Sequence, residues 1–177
     1  MELCKSSLRT YAKKKKDNIT KRLNETQIKN IMRDVCMGLD ELHSRGIVHL
    51  DIKPENILES FSGKFKLGDL GMARLLNKIV EEHDIPEGDC RYLAKELLND
   101  DPSLPIPDLT KADIFALGIT TFELIENKEL DKNGQQWHDL RDNKINFSEE
   151  TFKNYSSELL DVIKRMLHSN PEMRPSP

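Results

Sequence analysis

The sequence predicts a mainly α-helical domain that carries one small β-hairpin. Three observations predict it. Apolar residues recur at helical spacing from Ile28 to Leu42, and a second run from Ile114 to Ile125 is apolar almost all round. Only residues 57–67 read as paired strands. With 177 residues, one domain over 1–177 with a genuine core is expected.

In chain order, Met1-Glu2-Leu3-Cys4 reads as the end of an extended apolar segment, followed by Leu8, Tyr11 and Ala12 at helical spacing. Lys13 to Lys16 is either a polyanion or nuclear-import patch or a solvated helix end; the second suits the dipole and is preferred. Asn24 with Gln27 three residues on forms a capping box for the helix that Ile28, Ile31, Met32, Val35, Leu39 and Leu42 stripe, and Gly46 ends it. His43 beside that stripe reads as a core or cap histidine. Ile57-Leu58 and Lys64 to Leu67 flank the turn Ser60 to Gly63. The stretch Met72 to Lys95, broken by Pro86 and Gly88, reads as an ordered loop, with a short helix beginning near Leu93. A helix capped by Thr110 runs to about Glu126 and is buried on nearly every side. The proline-rich stretch Asn99 to Leu109 is a loop rather than a boundary. Gln135 to Asp142, with the sole tryptophan Trp137, and Ser156 to Leu167 are two shorter amphipathic helices.

Lys plus Arg is 27 and Asp plus Glu is 31, a formal charge of −4 that supplies no general pull toward nucleic acid or anionic membrane. Three widely spaced cysteines without C-x-x-C form neither a disulfide framework nor a zinc pattern and suit a reducing compartment. The longest apolar run, Ile114 to Phe122, is too short to span a bilayer. A soluble, intracellular protein is expected.

Chemistry concentrates in His49 to Gly71, which places Asp51, Lys53 and Asn56 in one loop and Asp69 just past the hairpin. Phosphoryl transfer from a nucleotide needs such a set: a carboxylate near the attacking hydroxyl, a cation near the transferred group and oxygen ligands for magnesium. Mg²⁺ prefers oxygens and takes only one or two from protein, a pair that Asn56 and Asp69 fit.

These residues resemble the C-terminal lobe of a protein kinase. His49-Leu50-Asp51-Ile52-Lys53-Pro54-Glu55-Asn56 is similar to the catalytic loop, Asp69-Leu70-Gly71 to Asp-Phe-Gly, and Ala94-Lys95-Glu96 to Ala-Pro-Glu. Asp113 with Gly118 matches the central helix, and Arg174 the arginine that pairs with the Ala-Pro-Glu glutamate. The hinge-like Met1 to Cys4, the Glu87 to Ala94 stretch, Lys111 to Leu117 and Asn133 to Arg141 are similar to the Wee kinases, mitotic inhibitors that phosphorylate cyclin-dependent kinases. The resemblance implies the protein-kinase fold without its N-terminal β lobe, ATP and Mg²⁺ as cofactors, and a cyclin-dependent kinase as protein substrate. It also implies location in the nucleus or cytoplasm. By position, Asp51 would be the catalytic base and Lys53 would stabilise the transferred phosphoryl. Asn56 and Asp69 would hold magnesium, the backbone of Glu2 to Cys4 would meet adenine, and Leu58 would wall its pocket. Asp113, Glu96 and Arg174 would be structural.

Two departures qualify that likeness. Leu50 stands where most kinases carry an arginine that pairs with a phosphorylated residue, and Leu70 to Lys95 holds no serine or threonine, with Tyr92 its only hydroxyl. An activation segment held by its own contacts is expected. The sequence also contains no G-x-G phosphate loop and no Val-Ala-Ile-Lys strand, so it is expected to be part of a longer protein, with Met1 an internal methionine and little activity in this stretch alone. A non-catalytic kinase-like binding module, and a kinase of another branch such as a translation-factor stress kinase, are the competing readings. Lys53 resembles serine/threonine kinases whereas Wee kinases modify tyrosine, which leaves the acceptor hydroxyl open; the oligomeric state is open too.

Overall fold

A computed structural model describes residues 3–16, 22–79, 85–86, 88–98 and 106–177. The architecture is mainly helical. Strand β1 (Cys4–Ser7) leads directly into helix α1 (Leu8–Lys16), and α2 (Glu25–Ser44) follows. Short strand β2 (Ile47–Val48) precedes the 49–56 loop, after which β3 (Ile57–Ser60) and β4 (Phe65–Leu67) form the hairpin. The hairpin register pairs Ile57 with Leu67. β1 adds antiparallel to β3, Ser7 opposite Leu58, giving a three-stranded sheet in the order β1-β3-β4. That third strand was not anticipated. It arises because the turn from β1 into α1 is fastened to the loop by the Arg9 amide, which donates to the Pro54 carbonyl at 3.0 Å.

Helix α2 starts as its sequence requires. Asn24 Oδ1 accepts from the Gln27 amide at 2.9 Å, while Gln27 Oε1 accepts from the Asn24 amide at 2.9 Å, so two otherwise orphaned donors are satisfied. Gly46 just past its end takes φ +68°, a conformation costly for other residues. Helix α3 (Leu109–Glu126) is the buried axis, with every residue from Ala112 to Ile125 inside. Its cap lies two residues earlier than expected, at Asp108 rather than Thr110. The Asp108 carboxylate accepts both the Thr110 amide (3.0 Å) and the Thr110 hydroxyl (2.6 Å), and a negative charge also suits the helix N-terminus.

The segment after the hairpin is more structured than a loop. β5 (Arg74–Leu75) pairs with β2, and single 3₁₀ turns occupy Leu70–Met72, Leu76–Lys78 and Lys95–Leu98, the last where a short helix was expected. The proline-rich loop expected from Asn99 lies, through residue 105, outside the described residues. Helices α4 (Gln135–Arg141), α5 (Glu149–Asn154) and α6 (Ser157–Met166) complete the chain. At six residues α5 is too short to show a period; Ser148 caps it by accepting from the Thr151 amide at 3.2 Å. α6 lays Leu159, Leu160, Ile163 and Met166 on the core, and Leu167 packs so closely on Gly118 that a Cβ there would stand 2.9 Å from it.

Glu25, the first residue of α2, reaches across to the start of α6, accepting from the Ser156 amide at 2.7 Å and the Ser156 hydroxyl at 2.6 Å. Hydrogen bonds from Lys29 and then Ser156 lower its pKa to about 2. Only the ionised form holds these partners, so this contribution is complete above the usual carboxylate range and is lost as pH falls through the folded value. The urea midpoint of the wild type is therefore expected to fall more steeply than that of Glu25→Gln between about pH 4.5 and 2.5. Separately, Asn24→Ala is expected to lower stability by about 1 kcal/mol in the same assay.

Candidate active site

The 49–56 loop takes its shape from one buried carboxylate. Leu50 sits at φ +63°, an uncommon conformation for a branched side chain. It is held there by Asp113, whose Oδ1 accepts the Leu50 amide at 2.8 Å and whose Oδ2 accepts the His49 amide at 2.9 Å. His43 Nε2 donates to the same Oδ2 at 2.8 Å, which explains the histidine beside the α2 stripe. Asp113 is 1% exposed, so its three donors stand in for water.

His49 carries the constraint onward. Its Nε2 lies 3.1 Å from the Gly68 carbonyl, which can only accept, and its Nδ1 lies 3.3 Å from the Asp51 amide, which can only donate. The ring is therefore the neutral tautomer with hydrogen on Nε2. One imidazole thus spaces Asp51 from the residue preceding Asp69.

Around Asp51 the expected side chains meet. Lys53 Nζ donates to both carboxylate oxygens, at 2.8 and 2.7 Å. Asn56 Nδ2 donates to Oδ2 at 2.7 Å and to the Asp51 carbonyl at 2.9 Å, which leaves the Asn56 amide oxygen as the acceptor for another partner. The Gly68 amide donates to the Asn56 carbonyl at 2.8 Å, bringing the Asp69 backbone alongside. Asp69 has φ +56°, its Oδ1 accepts the Gly71 amide at 3.2 Å, and the residue is exposed. Asp51, Lys53 and Asn56 are thus in direct contact, and Asp69 is tied to them through Gly68. An amide oxygen and an exposed carboxylate are the hard donors that Mg²⁺ takes, so the set fits that ion. Leu58 lies over Gly68, where a Cβ would come within 2.7 Å of its Cδ1. Cys4 lies on the edge strand β1 opposite Ser60, on the same sheet as Leu58. Glu2 lies outside the described residues.

Leu50, 8% exposed, packs with Val48 and Leu109, and Met72, Leu76, Ile79, Ile85 and Leu97 close over them. The described part of the 70–98 segment is therefore attached by apolar contact beneath the loop. A Cβ on Gly88 would stand 3.0 Å from the Leu50 carbonyl, so that approach needs glycine.

A charge network beside the loop was missed. Arg9, from α1, donates to Glu55 Oε1 (2.8 Å), to the Tyr92 hydroxyl (2.8 Å) and to Glu123 Oε2 (3.1 Å). The Tyr92 hydroxyl donates to Glu123 Oε2 at 2.9 Å, and Glu123 Oε1 accepts the Leu130 amide at 2.7 Å. Burial, reinforced by Glu123, pushes the Tyr92 hydroxyl well above its usual pKa, and burial likewise raises that of Glu123. The one hydroxyl of the 70–95 segment is thus sealed at 4% exposure. Glu123 was the available signal: it is the only charge in the apolar run 114–125. Further along, Arg174 forms a two-armed pair with Glu96, one arm at 2.9 Å, while its guanidinium lies 4.9 Å from the Phe115 ring centre.

Among known families, the chain matches the protein kinase domain over residues 1–177. It is 35% identical, over 99% of its length, to a membrane-associated tyrosine- and threonine-specific cdc2-inhibitory kinase of Caenorhabditis briggsae, covering 25% of that protein. It is 35% identical over 99% of its length to a Wee1-like protein kinase of Arabidopsis thaliana, covering 32%, and 42% identical over 85% to a probable protein kinase of Dictyostelium discoideum, covering 39%. The chain thus spans between a quarter and two fifths of the length of these relatives. No described helix is long and apolar enough to cross a membrane.

Replacing Asp113 by alanine would strand two buried amides and the His43 donor. It is expected to cost at least about 3 kcal/mol in chemical denaturation, at roughly 1–3 kcal/mol for each of the three donors left without an acceptor.

Proposed function

This chain belongs to the protein kinase family, in its Wee-type branch, and on that footing we propose that the whole protein transfers the γ-phosphate of ATP to a hydroxyl of a protein substrate. The observation that carries this reading is the contact set of Asp51, Lys53 and Asn56, with Asp69 tethered one residue beyond Gly68. Each has a task in phosphoryl transfer, which depends on positioning and charge more than on covalent chemistry.

In this reading Asp51 orients the acceptor hydroxyl and takes its proton at a carboxylate oxygen. Lys53, on that carboxylate in the resting site, swings toward the transferred phosphoryl and offsets its charge. Asn56 presents its amide oxygen and Asp69 its carboxylate to Mg²⁺, which when bound neutralises and aligns the phosphates. Leu58 supplies apolar surface for adenine, and the edge strand through Cys4 offers it backbone groups, with Glu2 as the neighbouring position. The names of the relatives support a cyclin-dependent kinase as the protein substrate, and hence an intracellular role in restraining the cell cycle. A non-catalytic binding module would have no use for all four polar side chains.

In the full-length protein, Asp51→Asn is expected to lower phosphate transfer to a purified cyclin-dependent kinase by about 10²- to 10⁴-fold while nucleotide still binds. Transfer by this variant at the wild-type rate would refute the assignment.

A further inference from the structure

Arg141, the last residue of α4, is 2% exposed. Its guanidinium is shared among main-chain oxygens: Nη2 donates to the carbonyls of Cys90 (2.9 Å), Arg91 (3.1 Å) and Leu93 (2.7 Å), and Nη1 to that of Trp137 (2.9 Å). The Trp137 indole N–H donates to the same Cys90 carbonyl at 2.9 Å. The Trp137 ring centre lies 3.7 Å from the guanidinium carbon, and the Phe115 ring centre 5.6 Å from it. Among the described residues no carboxylate pairs with Arg141, and its Nε has no hydrogen-bond partner. Burial lowers its pKa to about 10, so it remains a cation at neutral pH. A buried cation without a counter-ion is costly unless dipoles and π faces replace the ion, as four carbonyls and two rings do here.

What the cation fastens is one wall of the site. Asp89, Tyr92, Leu93 and Ala94 line a small cavity together with Leu50 and Asp51. Asp51 therefore stands between two surfaces. On one side are Asn56, Asp69 and Leu58, assigned above to the nucleotide and its metal. On the other is the 89–94 segment, with Arg141 behind it. With the first side assigned to the nucleotide, the 89–94 side is the surface left beside Asp51 for a protein acceptor.

We propose that Arg141 is a positioning residue for the protein acceptor: with Trp137 sealing it, its guanidinium holds the 90–93 backbone as the ledge on which the acceptor chain rests beside Asp51. The inference builds on the phosphotransfer reading. It assigns to Arg141 an effect on the acceptor and none on the nucleotide. A lysine is not equivalent, because its ammonium has neither the second arm that reaches the Trp137 carbonyl nor the planar face that stacks on the Trp137 ring.

The test compares full-length wild type with Arg141→Met, Arg141→Lys and the milder Trp137→Phe, which keeps a ring under Arg141 but removes the indole donor. Amides 89–94 of Arg141→Met and Arg141→Lys are expected to exchange with deuterium at least about tenfold faster, the loss of charge-assisted bonds to carbonyls. Trp137→Phe should show a smaller rise in the same amides. The KM for a cyclin-dependent kinase acceptor should rise by a similar factor as exchange, with the KM for ATP unchanged. Wild-type protection of amides 89–94, or equal acceleration in α2 and α3, would overturn the clamp. Equal rises in both KM values would overturn its role toward the acceptor. Should wild type transfer no phosphate, the phosphotransfer reading falls and the acceptor role with it, while exchange still decides whether Arg141 holds the segment.

Discussion

The Asp113 carboxylate is the constraint on which the site depends. It is buried in the second turn of α3 and accepts from two consecutive amides of the 49–56 loop and from His43. Those bonds hold Leu50 in a left-handed conformation that its side chain disfavours, and the turn so produced aims Asp51 toward Lys53 and Asn56. Had α3 offered an alanine at this position, the same loop sequence would have lost the acceptor that sets its path. A buried charge is tolerated here because every lone pair that matters is used.

From that anchor the order spreads in two directions. His49, locked as one neutral tautomer, links the loop to Gly68 and so to Asp69. Leu50, turned inward, supplies the apolar seat for Met72, Leu76 and Ile85. The segment that resembles an activation loop is thus attached by desolvation, where a guanidinium–phosphate pair would have been salt-sensitive and switchable. The charged groups nearby are satisfied internally. Arg9 binds Glu55, Tyr92 and Glu123, and Arg174 binds Glu96, so these charges are paired with one another rather than left open.

Much of this was legible in order along the chain. The Asn24–Gln27 box, the Gly46 stop, the apolar stripe of α2 and the 57–67 hairpin are short-range features, in which each residue's partner lies a few positions away. The motif spacing of Asp51, Lys53, Asn56 and Asp69 is equally local, spanning nineteen positions of chain. Where local reading slipped, the reasons were physical. Thr110 looks like a cap, but the carboxylate two residues earlier accepts both its amide and its hydroxyl. Helix α5 has six residues and no period to detect, and it exists because Ser148 caps it and the Thr151 hydroxyl donates to the Ile125 carbonyl at 3.2 Å.

The sequence by itself determined where the long helices run, which turn needs glycine, and the spacing of Asp51, Lys53, Asn56 and Asp69 along one stretch, because capping, periodicity and motif spacing act over short stretches of chain. Only the tertiary structure decided that β1 joins the hairpin, that Arg9 meets Glu123 across 114 positions, and that Arg141 meets the 90–93 carbonyls about fifty positions away. Such partners are chosen by which surfaces pack after the helices form. A charged residue in a sequence states what it needs, a counter-charge or a set of carbonyls, but not which distant segment will be folded against it.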